Sequence, residues 1–238
     1  MSTPSPEVGR PSVSAADAGH LLERLYRRRF SPSDKAEMRA VWRVLVREFF
    51  QSRIRPEATV VDVGAGSCHF INEVRAARRI AVDANPDLIN HVAPGVEAIV
   101  SDDLSLRELT DGSVGHVFLS NLLEHLSDFR EALALLVTVL QKLEPGGTVL
   151  VLQPNVRLIG ARYFDFLDHQ LILTERSLVE ALEAAGFEVR ELRVRFLPYT
   201  SKSRLSLAPW LVSLYLRLRP AQWLLGGQTF AVGVKPRA

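Results

Sequence analysis

Two glycines separated by one residue, Gly64 and Gly66, follow a run rich in β-branched residues, Val60 to Val63. Glycine adopts positive φ without strain and has no Cβ, so a ligand can approach the backbone at both positions. A segment compatible with a helix, Phe70 to Ala77, comes directly afterwards. The free N–H groups of such a turn and the positive end of a helix favour an anionic or polar ligand group. The pattern therefore predicts a strand, a binding turn and the start of a helix.

An acidic residue ends the next apolar stretch, because Ile80 to Val82 is followed by Asp83. A carboxylate at this position, about one βαβ unit after the glycines, can accept hydrogen bonds from a ribose. The dinucleotide-binding fingerprint also requires a glycine at position 69, which is His69 in this chain. The sequence therefore departs from the NAD-binding pattern.

Five motifs, in a fixed order, resemble those of the class I S-adenosylmethionine-dependent methyltransferase family. They are Val61 to Ser67, Asp83, Ser101 to Leu104, Val117 to Leu126 and Leu143 to Gly147. The resemblance covers residues 59–187 closely. It implies S-adenosyl-L-methionine as the cofactor and S-adenosyl-L-homocysteine as the product, and its motifs concern the cofactor rather than the methyl acceptor.

The same resemblance implies a role for each motif in binding the cofactor. Asp83 would accept the ribose hydroxyls, Asp62 would support the ammonium of the methionine tail, and Asp102 would bind the adenine amino group. The implied cofactor-binding residues are Asp62, Gly64, Ala65, Gly66, Asp83, Ala84, Asp102, Asp103, Leu104, Ser120, Asn121 and Leu122. The tandem pair at positions 102 and 103 leaves the adenine assignment open by one residue.

Methyl transfer is an in-line displacement that depends on proximity and orientation, and a base is needed only if the nucleophile arrives protonated. Asp168 and His169 are the candidates for that role, with Tyr163 beside them; a structural role for the pair, holding its loop, is the alternative. His125 is a second candidate base, although a histidine at this motif more often packs locally. The predicted acceptor-binding residues are Tyr26, Asn155 and Arg157.

Neither a metal site nor a catalytic cysteine is predicted. No histidine, cysteine or carboxylate set has the sequence spacing of metal ligands. The one cysteine, Cys68, lies beside the glycine turn, where packing at the start of the helix is the preferred interpretation over a nucleophile.

Apolar strands alternate with helical patterns, which is typical of right-handed βαβ crossovers in a parallel sheet. The predicted fold class is α/β: a Rossmann-like, seven-stranded, mostly parallel sheet with helices on both faces and an antiparallel last strand. Ligands bind such sheets at the carboxyl ends of the strands, where the motifs fall. The predicted organisation is a disordered tail at 1–19, a helical cap at 20–55 and a core at 56–238, with lid segments at about 155–170 and 197–227.

Composition sets broader bounds. The chain has 238 residues and a formal net charge of +2, and its arginine clusters lack the aromatic interleaving of a nucleic-acid module, so no nucleic-acid partner is predicted. A single cysteine and the absence of a signal-peptide pattern fit a cytoplasmic protein. No run of 18 apolar residues predicts a membrane-spanning helix. The apolar 197–227 segment favours buried packing or self-association, hence a homodimer, over an interfacial helix.

Three functions remain open on these grounds. The first is methylation of an oxygen or nitrogen atom of a small-molecule or glycan acceptor. The second is intramolecular displacement that releases methylthioadenosine, since the sulfonium also activates the methionine chain. The third is a non-catalytic cofactor-binding scaffold. A protein that has lost its activity is expected to lose the glycines or Asp83, and both are present here, so enzymatic activity is favoured over the scaffold.

Overall fold

A seven-stranded sheet with the order β3-β2-β1-β4-β5-β7-β6 forms the centre of the computed structural model. The model describes residues 32–101, 103, 105–199 and 208–237. The strands are β1 (Thr59–Val63), β2 (Arg78–Asp83), β3 (Val96–Val100), β4 (Val114–Ser120), β5 (Leu143–Pro154), β6 (Glu188–Arg193) and β7 (Gln228–Val234). Strand β7 runs antiparallel to both of its neighbours, and the pairs among β1 to β5 are parallel. The fold class predicted from the sequence is confirmed.

Helices cover both faces of this sheet. They are α1 (Pro32–Leu45), α2 (Phe129–Lys142), α3 (Val156–Ile159), α4 (Glu175–Ala184), α5 (Pro209–Arg217) and α6 (Arg219–Leu225). A π-helical turn, Val46–Phe50, continues α1, and 3₁₀ turns occupy Gln51–Arg53, Pro86–Asn90, Leu123–His125 and Gly160–Asp165. Two compact units divide the chain, residues 1–38 and residues 39–238, and the whole sheet lies in the second.

The alternation of side chains along each strand builds two separate apolar cores, because successive residues of a strand point to opposite faces. Val61 of β1 packs in one core with Leu135 of α2 and Leu178 of α4. Its neighbour Val60 packs in the other core with Phe50 of the π-helical turn. Both faces of the central strands are therefore closed to water, and only the strand ends are left to bind a ligand.

The register brings four strand ends to one edge. Val63, the last residue of β1, pairs with Val82 of β2 and with Leu119 of β4. Ser120, which ends β4, pairs with Leu152 of β5. The residues that follow these positions therefore share a single edge of the sheet, as expected for a parallel α/β fold.

The helix predicted at Phe70 to Ala77 is wrong. The chain there makes a short turn, in which the N–H of Asn72 donates to the Cys68 carbonyl at 3.1 Å, and no helix is assigned. The Asn72 side chain instead joins two backbone groups of the 91–93 segment, donating to the His91 carbonyl and accepting from the Ala93 N–H, each at 2.8 Å. These tertiary bonds outweigh the helical pattern, so the expected positive helix end at the glycine turn is absent.

The segment after β6 also differs from expectation. One side of α5 packs as predicted, since Val212 is buried and the Tyr215 hydroxyl donates to the Phe196 carbonyl at 2.6 Å. Trp210 and Trp223, however, are 65% and 70% exposed. Among the residues that the structure describes, no helix combines the length and the apolar character that crossing a bilayer requires.

Candidate active site

The turn after β1 is held against the end of β2 by backbone hydrogen bonds. Gly64 and Gly66 have φ of +70° and +50°, and the N–H groups of Gly64 and Ala65 both donate to the Val82 carbonyl, at 2.9 and 3.1 Å. A Cβ added at Gly66 would meet nothing within 4 Å, whereas one at Gly64 would lie 2.9 Å from Leu122 Cδ1. Gly64 thus allows β4 to close on the turn, and Gly66 leaves open space for a ligand.

Asp83 is fixed in place at this turn. Its Oδ2 accepts the N–H of Gly66 and its Oδ1 accepts the N–H of Asn85, both at 2.8 Å. A carboxylate has about four acceptor sites, so each oxygen keeps capacity for one more donor. The half-buried Asp83 next to exposed Ala84 therefore fits the two hydroxyls of a ribose.

Asp62 lies one layer deeper, at 3% exposure on β1. Its pKa is raised well above the usual range, first by burial and then by the charge of Asp83, while a hydrogen bond with the Ile71 backbone works in the opposite direction. A cationic group placed nearby would favour the ionised form. This environment fits the ammonium and sulfonium charges of the expected cofactor.

The end of β4 supplies the third side of the site. Asn121 has φ of +49°, its N–H donates to the Leu152 carbonyl at 2.8 Å, and its side-chain amide donates to Ser120 Oγ at 3.2 Å. The left-handed conformation of Asn121 turns the chain sharply, and asparagine tolerates it better than most residues do. Leu122 contacts the glycine turn at Gly64, and binding of the cofactor by Ser120, Asn121 and Leu122 stays a prediction.

The predicted adenine side is described only in part. Asp102, Leu104 and the acceptor-side candidate Tyr26 lie outside the described residues. Asp103 is exposed, and its Oδ1 accepts from the Ser105 hydroxyl at 2.6 Å, which together with nearby donors lowers its pKa. The Asp103 side chain is therefore occupied by its own loop, and the choice between positions 102 and 103 for the adenine amino group stays open.

A cluster of four polar side chains follows β4 and includes the predicted base. We call it the Glu–His cluster: Glu124, His125, Asp168 and His169. His125 Nδ1 lies 3.1 Å from the Asp168 carbonyl oxygen and 3.4 Å from its Oδ2, and the two imidazole rings are 5.1 Å apart. The chain positions predicted for acid–base chemistry are therefore brought together with His125.

Backbone contacts hold this cluster together. The N–H groups of Gln170 and Leu171 donate to the Glu124 carbonyl, at 2.8 and 3.1 Å. Tyr163 is buried, its hydroxyl donates to the Leu171 carbonyl, and burial raises the pKa of that hydroxyl. Its own carbonyl lies 2.8 Å from His169 Nδ1. Tyr163 thus positions His169 and does not reach an acceptor itself, which corrects its grouping with the catalytic residues.

Asn155, predicted to bind the acceptor, belongs to the framework instead. Its side chain is fully buried, caps α3 through the N–H of Arg157, and donates to Glu175 Oε2 at 2.8 Å and to Thr229 Oγ1 at 3.0 Å. Arg157 is exposed and forms an ion pair with Glu175 at 3.3 Å. Both amide hydrogens of Asn155 are used internally, so a polar residue after a strand is here a structural cap.

Two buried polar side chains were missed by the sequence reasoning. Glu124 is 1% exposed, and its Oε2 has no hydrogen-bond partner among the described residues; burial, with a contribution from Asp168, raises its pKa to about 8. Gln153, near the end of β5, is equally buried, and both polar atoms of its amide lack a described partner. Buried polar atoms without partners need a ligand, a water or a functional reason. The sequence could have indicated Gln153, because it is a glutamine within an apolar strand.

Cys68 packs in the protein interior, in agreement with the interpretation preferred from the sequence. It is fully buried, its thiol lies 3.8 Å from the Gly66 carbonyl, and burial with the nearby carboxylates Asp62 and Asp83 raises its pKa to about 12. The thiolate is the nucleophilic form of cysteine. This thiol is therefore not suited to nucleophilic catalysis.

Comparison with known proteins agrees with this geometry. A family model described as a methyltransferase domain matches residues 35–192. No curated protein sequence matches the chain. Solved structures that share the fold include an S-adenosylmethionine-dependent methyltransferase from Archaeoglobus fulgidus, with a TM-score of 0.60, 19% identity, and coverage of 83% of this chain and 94% of that one.

Two further structures show the range of this fold. One, from Thermotoga maritima, is an S-adenosylmethionine-dependent methyltransferase described as a possible histamine N-methyltransferase, with a TM-score of 0.61, 17% identity, and coverage of 91% and 98% of the two chains. The other is the [4+2]-cyclase SpnF, with a TM-score of 0.57, 18% identity, and coverage of 84% and 81%. At such identities the likeness concerns the fold alone.

Proposed function

This chain belongs to the class I S-adenosylmethionine-dependent methyltransferase family, and from that membership we propose that it methylates an oxygen or nitrogen atom of a small-molecule or glycan acceptor. Its cofactor is S-adenosyl-L-methionine and its product is S-adenosyl-L-homocysteine. We place the reaction in the cytoplasm, as the single buried cysteine suggests.

The cofactor supplies an electrophilic methyl group, and the residues of this chain bind and orient it. Asp83 accepts the ribose hydroxyls with the oxygen capacity that Gly66 and Asn85 leave open. Asp62 compensates the positive charges of the methionine side, and the Asn121 segment lines that side. Because the turn and the three strand ends are rigidly bonded, they fix the direction from which an acceptor must approach.

The position of the Glu–His cluster carries the proposal. Glu124 and His125 follow Asn121 and Leu122 by only a few residues, which supports a position of the cluster next to the methyl-donor side of the site. An alcohol or an ammonium group must lose a proton before or during methyl transfer. We assign that assistance to His169, oriented by the Tyr163 carbonyl, with His125 and Asp168 completing the acceptor side.

The same groups support the proposed acceptor class. Imidazoles and carboxylates form hydrogen bonds with hydroxyl and amine groups, which glycans and many small metabolites present. Arg157 is half exposed, so an acceptor that carries a negative charge could compete with Glu175 for its guanidinium.

Mass spectrometry of incubations with S-adenosylmethionine tests the proposal. We expect S-adenosylhomocysteine and a methylated product only when a suitable sugar, amine or phenol is added. Methylthioadenosine formed without any acceptor, above a control lacking protein, would instead establish intramolecular displacement. Cofactor binding without either product across a broad panel would favour the scaffold function.

The variant His169→Gln then tests the assignment of the base. We expect turnover to fall about 100-fold or more, since general base catalysis contributes about 10²–10⁴, with unchanged cofactor affinity. His91→Gln is the matched control, because His91 binds Asp87 in a different loop. Unaltered turnover of His169→Gln at saturating acceptor would contradict the assignment.

A further inference from the structure

Three potential metal ligands converge in the Glu–His cluster. One ligand atom from each of Glu124, His125 and His169 lies within 4.8 Å of the other two. The sequence gives no hint of this set, because His169 follows His125 by 44 positions. The loop that contains Tyr163 brings it back to the end of β4.

Both imidazoles have a hydrogen bond that is typical of metal ligands. His125 Nδ1 lies 3.1 Å from the Asp168 carbonyl oxygen, and His169 Nδ1 lies 2.8 Å from the Tyr163 carbonyl oxygen. A carbonyl can only accept, so each Nδ1 carries a proton, and in the neutral ring Nε2 is then the nitrogen that can bind a metal. Histidines that bind metals almost always donate their other ring N–H to a carbonyl or a carboxylate in this way.

Glu124 provides the second, independent observation. Its side chain is 99% buried, yet Oε2 has no hydrogen-bond partner among the described residues. A buried carboxylate without a partner is costly unless a charge or a metal compensates it. Asp168, with a side chain only 14% exposed, adds further negative charge beside His125.

We propose that Glu124, His125 and His169 bind one divalent transition-metal ion, such as Zn²⁺ or Fe²⁺. Two neutral imidazoles and one carboxylate are a ligand set that both ions use, with positions left for other ligands. Ligand atoms about 2.0–2.2 Å from a metal lie closer together than 4.8 Å, so small side-chain rotations must accompany binding.

The metal would give the acceptor a different means of activation, and this part rests on the proposed methyltransferase function. An acceptor hydroxyl that binds the ion loses its proton to solvent more easily. Its oxygen then forms a bond to the methyl carbon as the carbon–sulfur bond breaks, leaving S-adenosylhomocysteine. With a metal bound, His169 holds the ion and no longer serves as the base.

Metal titration of the untagged, full-length protein tests the site without any activity measurement. A chromophoric chelator competes for Zn²⁺, and Co²⁺ reports histidine and carboxylate coordination through its visible absorption bands. We expect one ion per chain. Glu124→Gln and His169→Ala should each weaken Zn²⁺ binding at least about 100-fold. Asp168→Asn should have a smaller effect, because it keeps the backbone carbonyl that accepts from His125 Nδ1. His91→Ala should leave the affinity unchanged.

The outcomes separate the two proposals. Failure to bind Zn²⁺ and Co²⁺ stoichiometrically, or binding that survives both ligand substitutions in folded variants, would overturn the metal site even if methyl transfer is observed. Tight binding that the substitutions abolish would establish the site even if no acceptor is methylated. Circular dichroism confirms the folding of each variant, and the isosteric Glu124→Gln keeps the test valid if His169→Ala does not fold.

A second inference concerns one face of α5 and α6 and rests on exposure and charge. Trp210, Leu214 and Arg217 have the spacing i, i+4 and i+7, so they share a side of α5, opposite buried Val212. Exposed side chains continue from the end of α5 through α6. We call the whole set the α5–α6 face: Trp210, Leu214, Arg217, Leu218, Trp223, Leu224 and Leu225.

The charged residues of the 195–227 segment that the structure describes, Arg195, Arg217 and Arg219, are all basic. Residues 195–227 contain five basic residues, at positions 195, 202, 204, 217 and 219, and no acidic residue. Arg195 lies 5.6 Å from the Trp223 ring and donates to the Trp223 carbonyl at 3.0 Å. The acidic side chain that meets α5, Glu48, is held by Ser213 and Arg47, and its Oε2 also lies 3.8 Å from the guanidinium of the exposed Arg217. Exposed tryptophan and leucine beside basic residues are typical of helices that lie on anionic membranes.

We infer that the α5–α6 face docks on an anionic lipid surface, a role that the sequence placed below self-association. Flotation with vesicles of phosphatidylcholine, with and without phosphatidylglycerol, tests it. We expect binding only to the anionic vesicles, at least tenfold weaker for Trp223→Ser with Leu224→Ser. Ile89→Ser, at an exposed apolar residue elsewhere, is the control. Absence of vesicle binding, or a stable dimer in equilibrium sedimentation that the double substitution dissociates, would overturn the inference.

Discussion

Replacing Asp83 with alanine gives the sharpest test of how the cofactor is held. A hydrogen bond to a charged group contributes about 1.5–3 kcal/mol, so losing both ribose hydroxyl contacts costs about 3 kcal/mol or more. At about 1.4 kcal/mol per tenfold change, affinity for S-adenosylmethionine should fall at least about 100-fold. Calorimetric titration measures this directly.

The same substitution should have little effect on folding. The two backbone N–H groups that Asp83 accepts belong to Gly66 and Asn85, which are both exposed and can bind water instead. We therefore expect a loss of only about 1 kcal/mol in the free energy of unfolding. A weaker cofactor complex then reflects the lost contacts and not a lost fold.

Two controls separate hydrogen bonding from charge. Asp87→Ala removes an equal charge four residues later, where the carboxylate binds Asn90 and His91. Because exposed charges are screened, this variant should change the affinity for S-adenosylmethionine less than about threefold. S-adenosylhomocysteine lacks the sulfonium charge but keeps the ribose, so Asp83→Ala should weaken its binding to a similar extent. Affinity within threefold of wild type for a folded Asp83→Ala protein would refute the ribose assignment.

Four further outcomes follow from individual residues. Gly66→Ala and Gly112→Ala each place a Cβ at positive φ in open space, so each variant should lose about 1–2 kcal/mol of stability. Only Gly66→Ala should weaken cofactor binding in calorimetry. Equal cofactor affinities of the two variants would contradict the argument that Gly66 leaves space for the ligand. Burial and the Arg55 charge lower the pKa of His116 to about 4 from 6.5. The protein should therefore lose about 3 kcal/mol of stability as the pH falls from 6.5 to 4. If denaturant unfolding shows that His116→Gln loses the same stability over this pH range, His116 is not the cause. Cys68, with a pKa of about 12 against an ordinary 9.0, should have about 1000-fold less thiolate at pH 8 than an ordinary thiol, so rapid iodoacetamide labelling of the folded protein would contradict its burial. The pKa of Asp62 is raised in the free protein, so binding of a cationic cofactor should release a proton from Asp62 and should become tighter as the pH rises. Calorimetry in buffers of different ionisation enthalpy detects the released proton. Binding that does not depend on pH would contradict this prediction.

The sheet was predictable because most of its strands are apolar runs with polar or glycine residues at their ends, whereas β6 alternates charged and apolar residues. Val96–Val100 and Val114–Ser120 are two strands of the apolar kind. The helix at 70–77 failed because its apolar spacing is compatible with a helix, while the Asn72 side chain binds another loop. Periodicity reports which residues are buried, but it does not report a competing tertiary hydrogen bond.

The two sides of the candidate site differed in how far sequence could define them. The cofactor side consists of residues next to strand ends, so order along the chain is enough to place Gly66, Asp83 and Asn121 together. On the acceptor side, Asn155 stands at an equivalent position but turns inward as a cap. His169 reaches the site only because Tyr163 and Glu124 fold its loop back, and such a long-range contact has no local signature.

A pair of neighbouring carboxylates lies on each side of the candidate site, and these charges bear on what the site binds. Asp62 and Asp83 meet at the turn, and Glu124 and Asp168 meet beyond β4, with the buried member of each pair raised in pKa by burial and by its partner's charge. A fold that buries carboxylates near each other spends stability unless a cation reduces the repulsion. The sulfonium and ammonium of the cofactor meet that need at the turn. With those charges at the turn, a separate cation beyond β4 would allow Glu124 to ionise beside Asp168. Two imidazoles that donate through Nδ1 to backbone carbonyls lie beside this pair, so a metal ion is a better match there than a protonated acceptor.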